Sequence, residues 1–425
     1  MKKVLAFVIL LLVLFTHTPA QTLTASGHNY EFANGNWFDG RKFVRRTFYS
    51  VAGVLSSKRP ARVDRTFDFS GKYIVPPFGE AHNHNLDWSS DESFARINKM
   101  YLDAGIFYVK NPNSLLRSKQ PTSAHINLPA TVDGILSNGG LTGSGGHPIE
   151  IVTPQRGFKP EDGEGGFYYV IDNLTDLERK WPAIRAGQPD FIKTYLLYSE
   201  EYAKRKDDKA YDGWKGLDPA VLPEIVRRAH RDGLRVSTHV ETAADFHNAA
   251  VAGVDEINHL PGFRPERNDI ANYKNLARYE ISDADAKLAA KKGIVVVTTI
   301  GETVDQTFNE KNNERDRLAV RAMLVQNLNV LRKHDVAIAI GSDSFRQTAL
   351  AEALSLAKLQ SLDNLTLLKM WCETTAATIF PKRKIGHLKD GYEANFLVLT
   401  ANPLVDFANV KTIQLRIKRG EPLEP

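Results

Sequence analysis

From Lys72 onward the sequence alternates short apolar runs with helical stretches, and this alternation restricts the fold more than any other feature. Strands separated by helices pair in parallel, because each helix carries the chain back across the sheet. Eight runs qualify, at 73–78, 105–109, 130–136, 191–197, 235–240, 254–260, 294–300 and 336–340. Eight units predict an α/β fold, a (β/α)8 TIM barrel. The helical stretches are well marked: residues 219–231 place Leu222, Ile225, Val226 and Ala229 on one face, follow Asp218 with proline in the first turn, and stop at Gly233. Residues 316–333 repeat the pattern with Leu324, Leu328 and Leu331. Residues 21–72 differ, being β-rich with turn signals at Asn34-Gly35, Asp39-Gly40 and Ser70-Gly71, and β character returns from Ile385. The expected organisation is therefore a barrel over 73–384 beside a small composite β-sandwich domain built from 21–72 and 385–425.

Before that lies Met1-Lys2-Lys3, an apolar run from Val4 to Phe15, and Thr16-His17-Thr18-Pro19-Ala20. A basic start, an apolar run too short to span a bilayer and small residues before Gln21 predict a secretory signal peptide over 1–20. The mature chain is then expected to be exported, periplasmic or secreted, with no membrane attachment after signal cleavage. Loss of Lys2 and Lys3 takes the formal net charge from +5 to +3. No basic block stands out, so nucleic acid is not an expected partner and a small-molecule substrate is. The single cysteine, Cys372, excludes an internal disulfide and a thiolate metal site. A homo-oligomer stays open.

Barrel active sites lie at the C-terminal ends of the strands. The first run leads into Gly79-Glu80-Ala81-His82-Asn83-His84-Asn85, where His82 and His84, two residues apart on a strand, share a face and Asn83 points the other way. Two neutral imidazoles suit a divalent transition metal, with bonds of about 2.0–2.1 Å. Taken alone, His-x-His equally describes two solvated loop histidines. Four further runs end in or contain chemistry: Lys193, His239, His259 and Asp343. A lysine among histidines needs explaining, since an ammonium repels a cation and offers no lone pair. Either Lys193 points outward or pairs with a carboxylate, or its desolvated amine reacts with carbon dioxide to give a carbamate that bridges two metals. Asp343 can bind an ion and take a proton from metal-bound water, whose pKa such an ion lowers to about 7.

The ordered set His82-x-His84, Lys193, His239, His259 and Asp343 resembles that of the amidohydrolase superfamily of metal-dependent hydrolases. Residues 69–76 and 385–399 look like that family's passages out of and back into its β domain. Leu141-Thr142-Gly143-Ser144-Gly145-Gly146-His147 resembles the Gly-Gly-His segment of the branch related to imidazolonepropionases and Xaa-Pro dipeptidase-like enzymes. The resemblance assigns His147 to contact with the substrate carbonyl; a loop histidine at a glycine-rich turn is the plainer alternative. Two departures stand out. Asn258 replaces the acid usual before the strand-six histidine, and Thr242 stands where deaminases carry a glutamate, with Glu241 one place early on the other strand face. Arg346 could hold a substrate carboxylate through a bidentate contact, or be an exposed start to the last helix. His125, His230, His247, His334 and His387 are expected at the surface, and Tyr195, Tyr198, Thr298 and Thr299 in packing or at the mouth.

The resemblance implies an exported metal-dependent amidohydrolase that cleaves a carbon–nitrogen bond, amide or peptide in type, by metal-activated hydroxide. Its cofactors would be two divalent metals, zinc with manganese, cobalt or iron as substitutes, and carbon dioxide for Lys193 carbamylation. The substrate class is a dipeptide, an N-acyl amino acid or a cyclic amide. A deaminase, lactonase or phosphotriesterase on the same site, or a metal-binding protein without turnover, are the alternatives.

Overall fold

The computed structural model describes residues 27–86, 91–115, 124–152, 163–263, 276–301 and 314–423. The expected signal peptide lies outside them. Among the described residues no helix is long and apolar enough to cross a membrane.

The β-rich ends form one mixed sheet of eight strands. Glu421–Pro422, Ile413–Lys418, Phe396–Leu399, Tyr73–Val75, Tyr30–Phe38, Phe43–Val51 and Val54–Ser56 follow one another across it, with Arg65–Asp68 parallel to Tyr30–Phe38. N- and C-terminal segments meet where Phe396–Leu399 runs antiparallel to Tyr73–Val75. Asn34-Gly35, expected as a turn, instead lies inside the first strand. Asn34 takes φ 61° and the register shifts between Phe32 and Gly35, a bulge that advances the pleat by one residue. Trp37 therefore joins Tyr30 and Phe32 in the buried cluster with Phe48, Ile74 and Phe396.

The parallel strands fall into two sheets. Phe78–Glu80, Ile106–Asn111 and Asp133–Leu136 form the smaller. The larger runs Tyr168–Val170, Gly140–Thr142, Ile192–Tyr195, Val236–His239, Glu256–Asn258, Val295–Val297, Ala337–Ala339. Backbone bonds link both edges of the smaller sheet to the larger one, from Asp190 N, just before Ile192–Tyr195, to Leu136 O at 2.8 Å and from Ala81 N to Ile340 O at 3.0 Å. The domain is TIM-barrel-like. Each expected run holds one of these strands, but 73–78 is divided. Tyr73–Val75 belongs to the mixed sheet and Phe78–Glu80 to the parallel set, because Pro76 and Pro77 have no N–H for a ladder. Gly140–Thr142 and Tyr168–Val170 were not expected; their glycine-rich surroundings read as loop.

Helix Leu222–Arg231 buries Leu222, Ile225, Val226 and Ala229 as its spacing requires. Near the C-terminus, Trp371 braces the first parallel strand. Its indole lies face to face with Phe78, centroids 3.8 Å apart, and its Nε1 donates to Gly79 O at 2.9 Å. Both rings are fully buried, so Trp371→Ala is expected to cost about 3–5 kcal/mol in denaturant unfolding. A cost below about 1 kcal/mol would show that the neighbouring helices close over the gap.

Candidate active site

The C-terminal ends of the parallel strands converge on a cavity of about 220 Å³ whose floor is His82, His84, Lys193, His239, His259 and Asp343. Asp343 is its centre. His84 Nε2 lies 3.0 Å and His82 Nε2 3.4 Å from Asp343 Oδ1, while His259 Nδ1 lies 4.0 Å from Oδ2. His82, His259 and Asp343 offer ligand atoms all within 4.8 Å of one another. The His239 ring is 4.3 Å from that of His259, and His147 is 5.2 Å from His239. Burial opposes ionisation of Asp343, but His82, His84 and His259 hold its carboxyl well below the usual range. Burial, then Lys193, pushes His82 down to about 4, so its imidazole is neutral at physiological pH and keeps a lone pair.

Lys193 points inward, not outward. Its Nζ donates to Asn258 Oδ1 at 2.5 Å, and burial pushes it down to about 7. Asn258 is held from below. Its Nδ2 donates to Glu256 Oε1 at 2.9 Å, the same oxygen that pairs with buried Lys110 at 2.6 Å, which turns the Asn258 carbonyl towards Lys193. Among the described residues an amide, and no carboxylate, is thus the hydrogen-bond partner of Lys193.

Backbone strain accompanies the side chains. His259, Thr299 and Asp343 end successive strands with φ of 77°, 49° and 48°. Such conformations cost about 1–3 kcal/mol each and persist where the surroundings enforce them. The β-branched Thr299 places Oγ1 2.5 Å from His259 Nδ1 and so fixes the ring. Glu80 does the same for Asp343. Its carboxylate accepts Ser342 N at 2.8 Å, Ser342 Oγ at 2.9 Å and Ala349 N at 2.6 Å, tying the first parallel strand to the loop that carries Asp343. Asn83, facing away from the histidines as the pleat requires, donates to Ser342 Oγ at 2.7 Å and accepts Tyr101 OH at 2.7 Å. The supporting role of Glu80 was missed, although an acid between an apolar run and His-x-His was its signal.

Other assignments sort plainly. His147 lines the cavity, with Nδ1 2.5 Å from Glu150 Oε1. Thr242 is an N-cap, its side chain accepting Asp245 N, while buried Glu241 lies 3.1 Å from His239 Nε2. Arg346 is exposed and does not line the cavity. His230, His247 and His334 sit outside it against Asp255, Asp285 and Asp283. Phe167, Phe263 and Phe345, unmarked in sequence, form part of its wall.

The model of the amidohydrolase family matches residues 193–420. The chain belongs to that family. This amidohydrolase has Lys193, His239, His259 and Asp343 inside the matched segment. Its fold is shared with an amidohydrolase crystal structure at 19% identity and TM-score 0.70, covering 93% of this chain and 98% of the other. A prolidase complexed with N-methylphosphonate-L-proline is 18% identical with TM-score 0.69, over 93% and 99% of the chains. Ochratoxinase of A. niger is 17% identical with TM-score 0.70, over 93% and 95%. No curated protein matches. The donor set, four imidazoles and a carboxylate, has the chemistry of a divalent-cation centre, and buried His82 Nδ1 has no hydrogen-bond partner among the described residues.

Proposed function

We propose that this amidohydrolase is an exported enzyme that uses divalent metal ions to cleave a carbon–nitrogen bond, amide or peptide in type, in a small substrate. The observation that carries the reading is the convergence of His82, His84 and His259 on one ionised carboxylate, 3.0–4.0 Å from Asp343, beside Lys193 and His239. The prolidase and ochratoxinase likenesses support that bond class. In this reading the parallel strands from Phe78 onward close a (β/α)8 barrel, the small β domain joins the N-terminal segment through Val75 to 385–425, and the signal peptide is 1–20.

His82, His84, His239, His259 and Asp343 would hold the ions, zinc or else manganese, cobalt or iron, with carbamylated Lys193 as the bridge. When bound, such ions polarise a carbonyl and make water acidic near neutral pH. The chain's own residues do the rest. Asp343 takes the proton of the attacking water as the carbon–oxygen bond forms, and passes it to the nitrogen as the carbon–nitrogen bond breaks. His147, at the cavity wall, faces the substrate carbonyl. Asn258 fixes Lys193 in place.

Elemental analysis of mature protein prepared with zinc and bicarbonate, beside Lys193→Ala, tests this. Two metals per chain are expected, falling in the variant. One metal, unaffected by the substitution, would remove Lys193 from the ligand set and the bridged site with it.

A further inference from the structure

The floor of the cavity is polar, but much of its wall is apolar. Pro148, Ile151, Phe167, Tyr195, Phe263 and Phe345 line it. They arrive from separate parts of the chain, so the apolar wall is assembled by the fold. Two of the rings lie flat against site histidines. Phe263 is 3.9 Å from His259 at an interplanar angle of 9°, and Phe345 is 5.4 Å from His84 at 26°. Tyr195 stands 5.5 Å from His239 and 5.3 Å from His147. Aromatic rings therefore border the catalytic floor on several sides, at the separations that flat groups adopt when they pack together.

Phe345 is the informative one. It directly follows the loop of Asp343, lines the cavity, and is 54% exposed. A large apolar side chain left open at the mouth of a site gains when a ligand covers it. The cavity, at about 220 Å³, is below the roughly 300–1,000 Å³ of pockets that take drug-sized ligands. It suits one ring and an amide, and is small for an extended peptide.

We propose that the cavity selects small amides bearing an aromatic or flat apolar group next to the scissile bond, with Phe345 and Phe263 as the specificity-determining residues that pack on that group. The proposal rests on the amide-hydrolase reading above. Hydrolysis of phenylacetamide and propanamide compares substrates alike at the reacting carbon. A preference of about tenfold in kcat/KM for phenylacetamide is expected. Phe345→Ala should lower that preference by about 2- to 10-fold, chiefly through KM for phenylacetamide, and Phe345→Leu should partly restore it. A readout without turnover accompanies this: 1-phenylpropan-2-one, a ketone of phenylacetamide's shape, should bind more tightly than butan-2-one in ligand-observed NMR, and lose that advantage in Phe345→Ala. Ketone discrimination with neither amide hydrolysed would support the aromatic wall and overturn the assignment of such small amides as substrates. Equal binding of the ketones, with both amides hydrolysed equally well, would overturn the wall and leave the amide-hydrolase reading standing.

Discussion

Asp343→Asn is expected to lower the rate of amide hydrolysis by about 10²- to 10⁴-fold while leaving the fold intact. Asparagine keeps the shape and one acceptor oxygen of the carboxylate, so His84 and His82 retain a partner at the position now occupied by Oδ1, 3.0 and 3.4 Å away. What it loses is basicity. An amide oxygen cannot take a proton from water and return it to the leaving nitrogen. The carboxyl of Asp343, held well below the usual range by the surrounding imidazoles, is ionised and ready for the first of these steps. Steady-state rates on a responsive amide, with metal content and unfolding measured on the same samples, separate the chemistry from folding. An unchanged rate with metal still bound would remove Asp343 from proton transfer and overturn the hydrolytic mechanism.

Asp133→Ala is expected to cost about 3–5 kcal/mol of stability, for a reason remote from the cavity. Asp133 begins a parallel strand and is fully buried. Lys418 Nζ approaches it at 2.7 Å, Arg383 at 2.8 Å and Arg419 at 3.3 Å. Burial opposes ionisation of the carboxyl, but these three cations hold its pKa below the usual value. Lys418 belongs to strand Ile413–Lys418 of the mixed sheet, so this cluster fastens the C-terminal strands to the parallel ones. Removing the carboxylate leaves the Lys418 ammonium buried with only the Leu128 and Thr131 carbonyls as partners among the described residues. Denaturant unfolding measures the loss. The double variant Asp133→Leu, Lys418→Met should recover part of it, the share owed to the buried Asp133–Lys418 pair, while Arg383 and Arg419 still lack the carboxylate. A cost below about 1 kcal/mol for Asp133→Ala would show that water reaches Lys418 and that the cluster does not fasten the sheets.

The same division between local and distant partners separates what could be read from the chain alone. The alternation of apolar runs and amphipathic stretches marked a parallel α/β fold, because a pleat of period two and a helix of period 3.6 are written in neighbouring residues. The identities of His82, His84, Lys193, His239, His259 and Asp343 were legible for a related reason: parallel sheets gather their C-terminal ends at one face, so chemistry at those ends must meet. Proline also acts locally, yet the division of 73–78 at Pro76-Pro77 was missed, since an apolar run does not say which sheet each half will join. The supports were out of reach. Glu80 finds Ser342 across 262 residues, Lys193 meets an amide turned by Glu256 and Lys110, and the aromatic wall gathers from separate parts of the chain. Sequence by itself determined which groups this protein brings to its strand ends. Only the tertiary structure decided what holds them there and what surrounds the substrate, because hydrogen bonds and ring contacts depend on distances in space that chain separation does not encode.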